Sequence, residues 1–269
     1  MSIAKRLGGA LLLLTAGCAV ETQPEVPDVA MSFVQQRVFE GTPRAQLRVV
    51  NSSSDDLTVT GVGLDWPGYG KFLDDYSTTV EAGRTLDLNI TLPTPDCSAL
   101  APTSKPVIGR VRVGNDVVRR TLDASGTGFV TRIWQRECDE RRVESAVRLS
   151  YDGPRQLVGS GRRTQLAGHI TLTRRSEERR IVVPEIVGSV LLELHLDQPA
   201  VLPPGVDRRT FPMTMVVPRC DVHALIESSQ TFHFLMAARL GDDPLVRVLR
   251  LPDVRTRARA QALLDQACR

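Results

Sequence analysis

Aromatic residues and long apolar runs are both scarce in this chain of 269 residues, and each scarcity excludes a class of protein. Aromatics make up 4% of the residues and are not interleaved with basic residues, so a nucleic-acid-binding surface that stacks on bases is not expected. No apolar stretch approaches the about 20 residues that a membrane-spanning helix needs. Hydrophobic residues nevertheless form 42% of the chain, which is enough for a sizeable core.

The sequence patterns that usually carry catalysis are also missing. There is no Gly-x-Ser-x-Gly nucleophile motif and no Cys-x-x-Cys redox motif. The acidic pairs, such as Asp55–Asp56 and Asp242–Asp243, fall in predicted turns, where aspartate caps its own backbone. The four histidines lack the spacing of a metal site on one element: His169, His195, His223 and His233. We therefore expect no enzymatic activity, no metal and no cofactor.

Lysine is rare, and arginine supplies nearly all of the positive charge. The formal net charge of +3 is small, but arginine pairs recur in the second half of the chain: 141–142, 162–163, 174–175, 179–180 and 208–209. Such pairs would suit an anionic surface, although solvated faces and turns interleaved with acids are the preferred interpretation. The bias toward arginine is typical of a GC-rich bacterium.

The N-terminus has the three parts of a secretory signal. Lys5 and Arg6 supply positive charge, residues 7–16 are mostly apolar, and small residues precede Cys18. Residues 18–27 contain two prolines and little that could be buried, which predicts a short spacer ahead of the folded body.

The sequence Leu-Thr-Ala-Gly-Cys at 14–18 resembles the lipobox of bacterial lipoproteins, especially those of high-GC Gram-positive bacteria. Thr15 stands where leucine is usual. The resemblance implies that residues 1–17 are removed and that Cys18 carries a diacylglycerol anchoring the chain to the extracytoplasmic face of the cell membrane. An ordinary secretory signal is the alternative. Lipidation of Cys18 would leave an even number of cysteines for disulfides.

Two parts of the chain repeat one another. Placing Cys97 on Cys220 aligns residues 88–97 with 211–220, and both are strands of alternating apolar residues that end in Pro-x-Cys. Three further pairs of segments then match: 133–138 with 263–268, 47–62 with 170–186, and 112–122 with 239–249. The last pair contains Gly-Asn-Asp or Gly-Asp-Asp between strand-like runs, which predicts a β-hairpin in each copy.

We interpret this repeat as two tandem immunoglobulin-like antiparallel β-sandwiches, residues 28–138 and 139–269, that arose by duplication. Each is predicted to end in a short helix. Residues 253–268 have an N-cap candidate and helical spacing of alanine and leucine, typical of three to four turns. In the first copy, a shorter helix is predicted because four apolar side chains share one face: Val130, Ile133, Trp134 and Cys138.

Four cysteines in an oxidising compartment are expected to form two disulfides. Three pairings are possible for four cysteines. The repeat selects Cys97–Cys138 and Cys220–Cys268, because each bond then ties a terminal helix to the Pro-x-Cys strand of its own copy.

Residues 65–76 form a candidate binding loop. They concentrate aromatic and acidic side chains and lack a good counterpart in the second copy: Trp66, Tyr69, Phe72, Asp74, Asp75 and Tyr76. An aromatic loop at the end of a sandwich can bind sugar or peptide. The alternative is that the rings fold over the edge of the core.

The sequence thus favours a lipid-anchored extracytoplasmic protein that binds or scaffolds an envelope protein or polysaccharide. The competing hypothesis is an envelope hydrolase or small-ligand capture protein that uses histidines and acids of the second copy. Clustering of those histidines with carboxylates in a cleft would favour it.

Overall fold

The computed structural model describes residues 28–98 and 105–269, apart from the side chains of 153–155. The predicted signal peptide, spacer and lipidated Cys18 lie outside these residues. The chain is mainly β, with several antiparallel sheets. No helix in the described ranges is both long enough and apolar enough to cross a membrane.

Residues 28–138, the first half, form two sheets that share a core. The strands in chain order are β1 (Val29–Val34), β2 (Arg44–Asn51), β3 (Leu57–Trp66), β4 (Gly70–Lys71), β5 (Asp74–Val80), β6 (Thr85–Thr91), β7 (Ile108–Val113) and β8 (Asp116–Thr121). One sheet has the order β1-β2-β6, and the other has the order β4-β3-β7-β8, with β5 also paired to β3. A short 3-10 turn, Arg37–Phe39, joins β1 to β2.

The second half begins within helix α1 (Ala124–Ala146). Its elements are β9 (Val147–Val158), β10 (Gln165–Arg174), β11 (Ile181–Val183), β12 (Ile186–Val187), β13 (Glu193–Leu196), β14 (Ala200–Leu202), β15 (Arg208–Val216), α2 (Val222–Glu227), β16 (Phe234–Leu240), β17 (Val246–Arg250) and α3 (Val254–Ala267). One sheet has the order β13-β15-β10-β9. The other has the order β12-β16-β11-β14, with β17 also paired to β16.

The two halves share one pattern of strand pairing. In the first half the pairs run β1-β2-β6 and β5-β3-β7-β8, and in the second they run β9-β10-β15 and β14-β11-β16-β17. Both predicted hairpins are present as β7–β8 and β16–β17. Their turns contain Gly114 and Gly241, each with φ of 58°, a conformation that glycine adopts at little steric cost.

Helix α1 is longer than the sequence indicated, and this corrects the prediction of a short terminal helix. It has 23 residues and passes without a break through position 138, where the first copy was predicted to end. Asp123 caps its N-terminus by accepting a hydrogen bond from the Gly126 amide. The predicted face is present, since Val130, Ile133 and Trp134 are buried in the first core.

The extension of α1 has a physical cause in the second core. Val143 and Ala146, in the last turns of the helix, are 0% and 3% exposed and pack in the buried cluster of the second half. Burying these side chains stabilises turns that would otherwise fray. Strand β9 begins at Val147 directly after the helix, so α1 is part of both cores.

The predicted helix within residues 253–268 is confirmed as α3. It has 14 residues, and Asp253 caps it by accepting a hydrogen bond of 2.8 Å from the Thr256 amide. One face of the helix is buried in the second core through Ala260, Leu263 and Leu264.

The structure contains disulfides Cys97–Cys138 and Cys220–Cys268, with sequence separations of 41 and 48 residues. These are the two cysteine pairs that the comparison of the copies predicts. The first holds the segment after β6 against α1, and the second holds the segment after β15 against the end of α3.

We expect removal of Cys220–Cys268, by the double substitution Cys220→Ser and Cys268→Ser, to lower the free energy of unfolding by about 2–5 kcal/mol, because the unfolded chain regains the entropy of an open loop. Denaturant unfolding of the oxidised proteins measures the loss. Cys97→Ser with Cys138→Ser is the parallel variant, and a similar loss is expected from its loop of similar length. A loss below about 1 kcal/mol in both variants would contradict the structural role of the bonds.

Candidate functional site at the junction of the two halves

The rings of the candidate binding loop lie in the first core. Trp66 and Tyr69 are 1% and 4% exposed. Trp66 packs edge-on against Trp134 of α1, with ring centroids 5.9 Å apart, and lies 6.1 Å from the ring of Tyr69. Phe72 and Tyr76 are partly buried against the same cluster. This placement matches the alternative interpretation, in which the rings cover the edge of the core because burial of their large apolar surface stabilises the fold.

The polar atoms of this loop are used within the protein. The Trp66 indole donates to the Lys105 carbonyl at 3.2 Å. Asp74 accepts a hydrogen bond from the Thr91 amide at 3.3 Å, and the Tyr76 hydroxyl oxygen accepts one from the Asn89 amide at 3.3 Å. Asp75 lies 3.4 Å from Arg112 in an exposed ion pair. The loop therefore presents no cluster of exposed rings.

The four histidines lie in different places. His195 and His223 form exposed pairs with Glu193 and Glu227, at 3.5 and 3.1 Å. His169 lies in β10 and is partly buried, and His233 lines a groove described below. Within residues 28–98 and 105–269, no three or more His, Cys, Asp or Glu side chains are placed to hold a metal ion. His233 shares that groove with Glu40 and Glu227, whose carboxylates contact Gln230 and His223.

Several arginines of the paired set hold the second half together. Arg174 donates to backbone carbonyls of Val206 at 3.0 Å and Arg179 at 2.8 Å, and also to those of Glu177 and Pro203. Arg179 forms ion pairs with Glu177 at 2.7 Å and Asp243 at 3.1 Å. The ion pairs of Arg179 are what the interpretation as solvated turns interleaved with acids expects, whereas Arg174 is partly buried and bound to backbone carbonyls.

A groove lies where the two halves meet along α1. Its cavity has a volume of about 470 Å³. The walls come from the turn after β1, from α1, from the β12–β13 connection, from the segment after α2 and from β16 and β17. Its lining side chains include Arg37, Glu40, Arg136, Val190, Gln230, His233, Leu235 and Leu249.

Hydrogen bonds across the groove connect the two halves. The Gln230 side chain donates to the Glu40 carboxylate at 2.8 Å and to the Arg37 carbonyl at 3.0 Å. The Leu249 side chain lies directly over Gly41, where a Cβ atom would be only 2.2 Å from its Cδ2. A Cβ here would force the Leu249 side chain to shift, and the φ of 75° independently favours glycine.

Arg136 occupies the wall between this groove and a second cavity of similar size. Its Nε and Nη2 atoms are buried and have no hydrogen-bond partner in the described part of the chain. A guanidinium stays charged at any ordinary pH and carries donors only. Buried donors of a charged group without an acceptor are energetically costly, so this edge of Arg136 is the most unusual polar feature of the junction.

The second cavity is lined by two partly buried glutamates of α1. The Tyr69 hydroxyl donates to Glu137 at 3.0 Å, and the Leu249 amide donates to Glu140 at 3.2 Å. Burial raises the pKa of both carboxyl groups above the ordinary range, and nearby Arg136 opposes this rise. The attraction between Arg136 and the carboxylates is therefore weaker than the cost of removing these carboxylates from water.

Sequence reasoning did not identify this junction as a site. Arg136 and Glu137 lie inside the helical segment 133–138, which was matched to 263–268. The alignment contains one clue to the junction, because the residues aligned with Arg136 and Glu137 are the neutral Gln266 and Ala267. A charged pair that replaces a neutral pair on a repeated helix indicates a different environment in the first copy.

No protein-family model and no curated protein matches the sequence. Among solved structures, the chain is similar to red sea bream transglutaminase, with 11% identity, 84% of this chain and 31% of that chain covered, and a TM-score of 0.25. It is also similar to a protein of unknown function from Porphyromonas gingivalis W83, with 15% identity, 84% and 98% covered, and a TM-score of 0.23. The chain spans less than a third of the transglutaminase chain. Similarities this weak say nothing about function.

We expect the double substitution Glu137→Gln and Glu140→Gln to flatten the pH dependence of stability. Because the pKa values are raised in the folded state, the folded chain binds more protons than the unfolded chain above the ordinary carboxyl pKa of about 4.3. The wild-type free energy of unfolding therefore falls as pH rises through the raised values. Glutamine keeps an acceptor for Tyr69 and Leu249 but carries no proton to lose.

Urea unfolding at a series of pH values measures this effect. The exposed Glu81, changed to Gln, is the control and should leave the slope of stability against pH as in the wild type. A double variant with the wild-type slope would show that the two carboxyl groups are not the source of the dependence.

Proposed function

We propose that this chain is a lipid-anchored, extracytoplasmic binding protein of the bacterial cell envelope, built from two immunoglobulin-like modules, and that it binds its ligand in the groove between them. The observation that carries the binding role is the groove itself, which Arg136 lines and beside which the Nε–Nη2 edge of that side chain is buried without a hydrogen-bond partner among the described residues. Its volume of about 470 Å³ lies within the about 300–1,000 Å³ typical of ligand sites.

The rigidity of the junction supports this role. Helix α1 packs in both cores, and Gln230, Leu249 and Arg250 of the second half contact Glu40, Glu140 and Glu144 of the adjoining segments. A groove whose walls are fixed in this way loses little conformational entropy on binding. Such a site is preorganised for a ligand.

The extracytoplasmic location is supported by the two disulfides, which are typical of oxidising compartments. The lipid anchor rests on the resemblance of residues 14–18 to a lipobox. Two acyl chains on one residue would give durable anchoring, since each buried methylene contributes about 0.8 kcal/mol.

We expect Cys18→Ala to abolish incorporation of radiolabelled palmitate into the protein in the cells that produce it, because the thioether attachment site is lost. Labelling followed by immunoprecipitation measures this. Thr15→Leu, which brings the motif to the commoner lipobox pattern, should keep the label at the wild-type level or above. Label retained in Cys18→Ala would contradict the anchor at this residue.

The binding role is tested by photo-crosslinking in the native envelope. A photoreactive residue at Leu235, 38% exposed in the groove, should yield a specific adduct. The same residue at Val117, 36% exposed on β8 of the first half, is the matched control and should not yield it. Identical adducts from both positions, or none from Leu235, would argue against the groove as the binding site.

A further inference from the structure

The acids and bases of the groove differ in how far their hydrogen bonding is satisfied. Glu40 accepts from Gln230 at 2.8 Å, and Glu227 lies 3.1 Å from His223. The Nε and Nη2 atoms of Arg136 have no partner among the described residues. The Nε–Nη2 edge of Arg136 is thus an unsatisfied cationic donor pair buried beside the groove, whereas Glu40 already accepts a hydrogen bond, and this favours an anionic ligand group.

The unpartnered atoms of Arg136 form the edge of the guanidinium that binds carboxylates in this protein. Nε and Nη2 of Arg48 hold the two oxygens of Asp87 at 2.7 and 3.0 Å, and the same edge of Arg179 holds Glu177. Two parallel N–H groups match the two oxygens of a carboxylate. Both atoms are buried in this arrangement, so binding requires the Arg136 side chain to turn toward the groove, which breaks no hydrogen bond at this edge.

The neighbouring wall of the groove is apolar. Val187 and Leu249 both pair with Leu235 across β12, β16 and β17, which places the three side chains in one row on one face of the sheet. Leu235 and Leu249 of this row line the groove, and Leu235 is 38% exposed; Val190, which also lines it, is 54% exposed. A row of half-exposed apolar side chains beside a charged donor suits a ligand with an apolar tail.

The two copies of the repeat differ at the charged position. The residue aligned with Arg136 is Gln266, two positions before the aligned cysteine in each copy. The helix and its disulfide therefore form in the second copy without an arginine there. Arg136 is not required by the repeated fold, which is consistent with a role in the groove.

We propose that the groove binds a small amphiphilic carboxylate, with the carboxylate on the Nε–Nη2 edge of Arg136 and the apolar tail along Val190, Leu235 and Leu249. This inference rests on the proposed binding function and names the chemical class of the ligand. The charged head sets the orientation, and the tail contributes through burial of its methylenes.

Decanoate is the probe, titrated calorimetrically into the oxidised full chain at neutral pH. We expect saturable binding, with acetate and decanol at least about tenfold weaker because each lacks one half of the recognised chemistry. Arg136→Gln should weaken decanoate binding about tenfold or more, since a charge-assisted bidentate contact is lost. Arg132→Gln is the matched control on the same helix, where the arginine lies over the Phe129 ring, and should bind as the wild type does.

Circular dichroism shows whether each variant is folded. Should Arg136→Gln fail to fold, Leu235→Ser serves in its place, because this side chain is already 38% exposed. It should weaken decanoate and leave acetate unchanged. Absence of saturable decanoate binding, or equal decanoate affinity in the folded variants and the wild type, would overturn the inference. A specific crosslinked adduct at Leu235 combined with no decanoate binding would overturn the ligand class and leave the binding function standing.

Discussion

The structure depends on one helix that is buried at both ends in different cores. Its first turns place Val130, Ile133 and Trp134 against the sheets of the first half, and its last turns place Val143 and Ala146 among those of the second. A helix stabilised by packing at both ends cannot bend without exposing apolar surface on one side. The relative position of the two halves follows from this, and so does the groove between them.

Much of the fold could be predicted from the sequence because it is set by local chemistry. The hairpins at Gly114 and Gly241 follow from turns that need positive φ. The strands on either side of them follow from alternation of apolar residues, and the cap at Asp253 follows from the preference of aspartate for helix N-termini. Comparison of the copies selected the cysteine pairs because a repeated module repeats its crosslink.

The features that could not be predicted all depend on contacts between distant segments. The last two turns of α1 are stabilised by burial of Val143 in a core formed by residues up to about 120 positions later, which periodicity cannot show. Similarly, the aromatic pattern at 65–76 is the same whether the rings point outward or inward. In the structure, Trp66 packs in the core against Trp134, which lies far along the chain.

The aligned turns of α1 and α3 differ in charge, and they also differ in what they face. In α1, the turn around Cys138 faces a second module, so Arg136, Glu137 and Glu140 lie between two bodies of protein. In α3, the aligned turn holds Gln266 and Ala267, and Ala267 is 1% exposed within its own module. Buried charged groups lower stability unless they are paired, so the unpartnered edge of Arg136 is more readily understood as part of a site than as part of the fold.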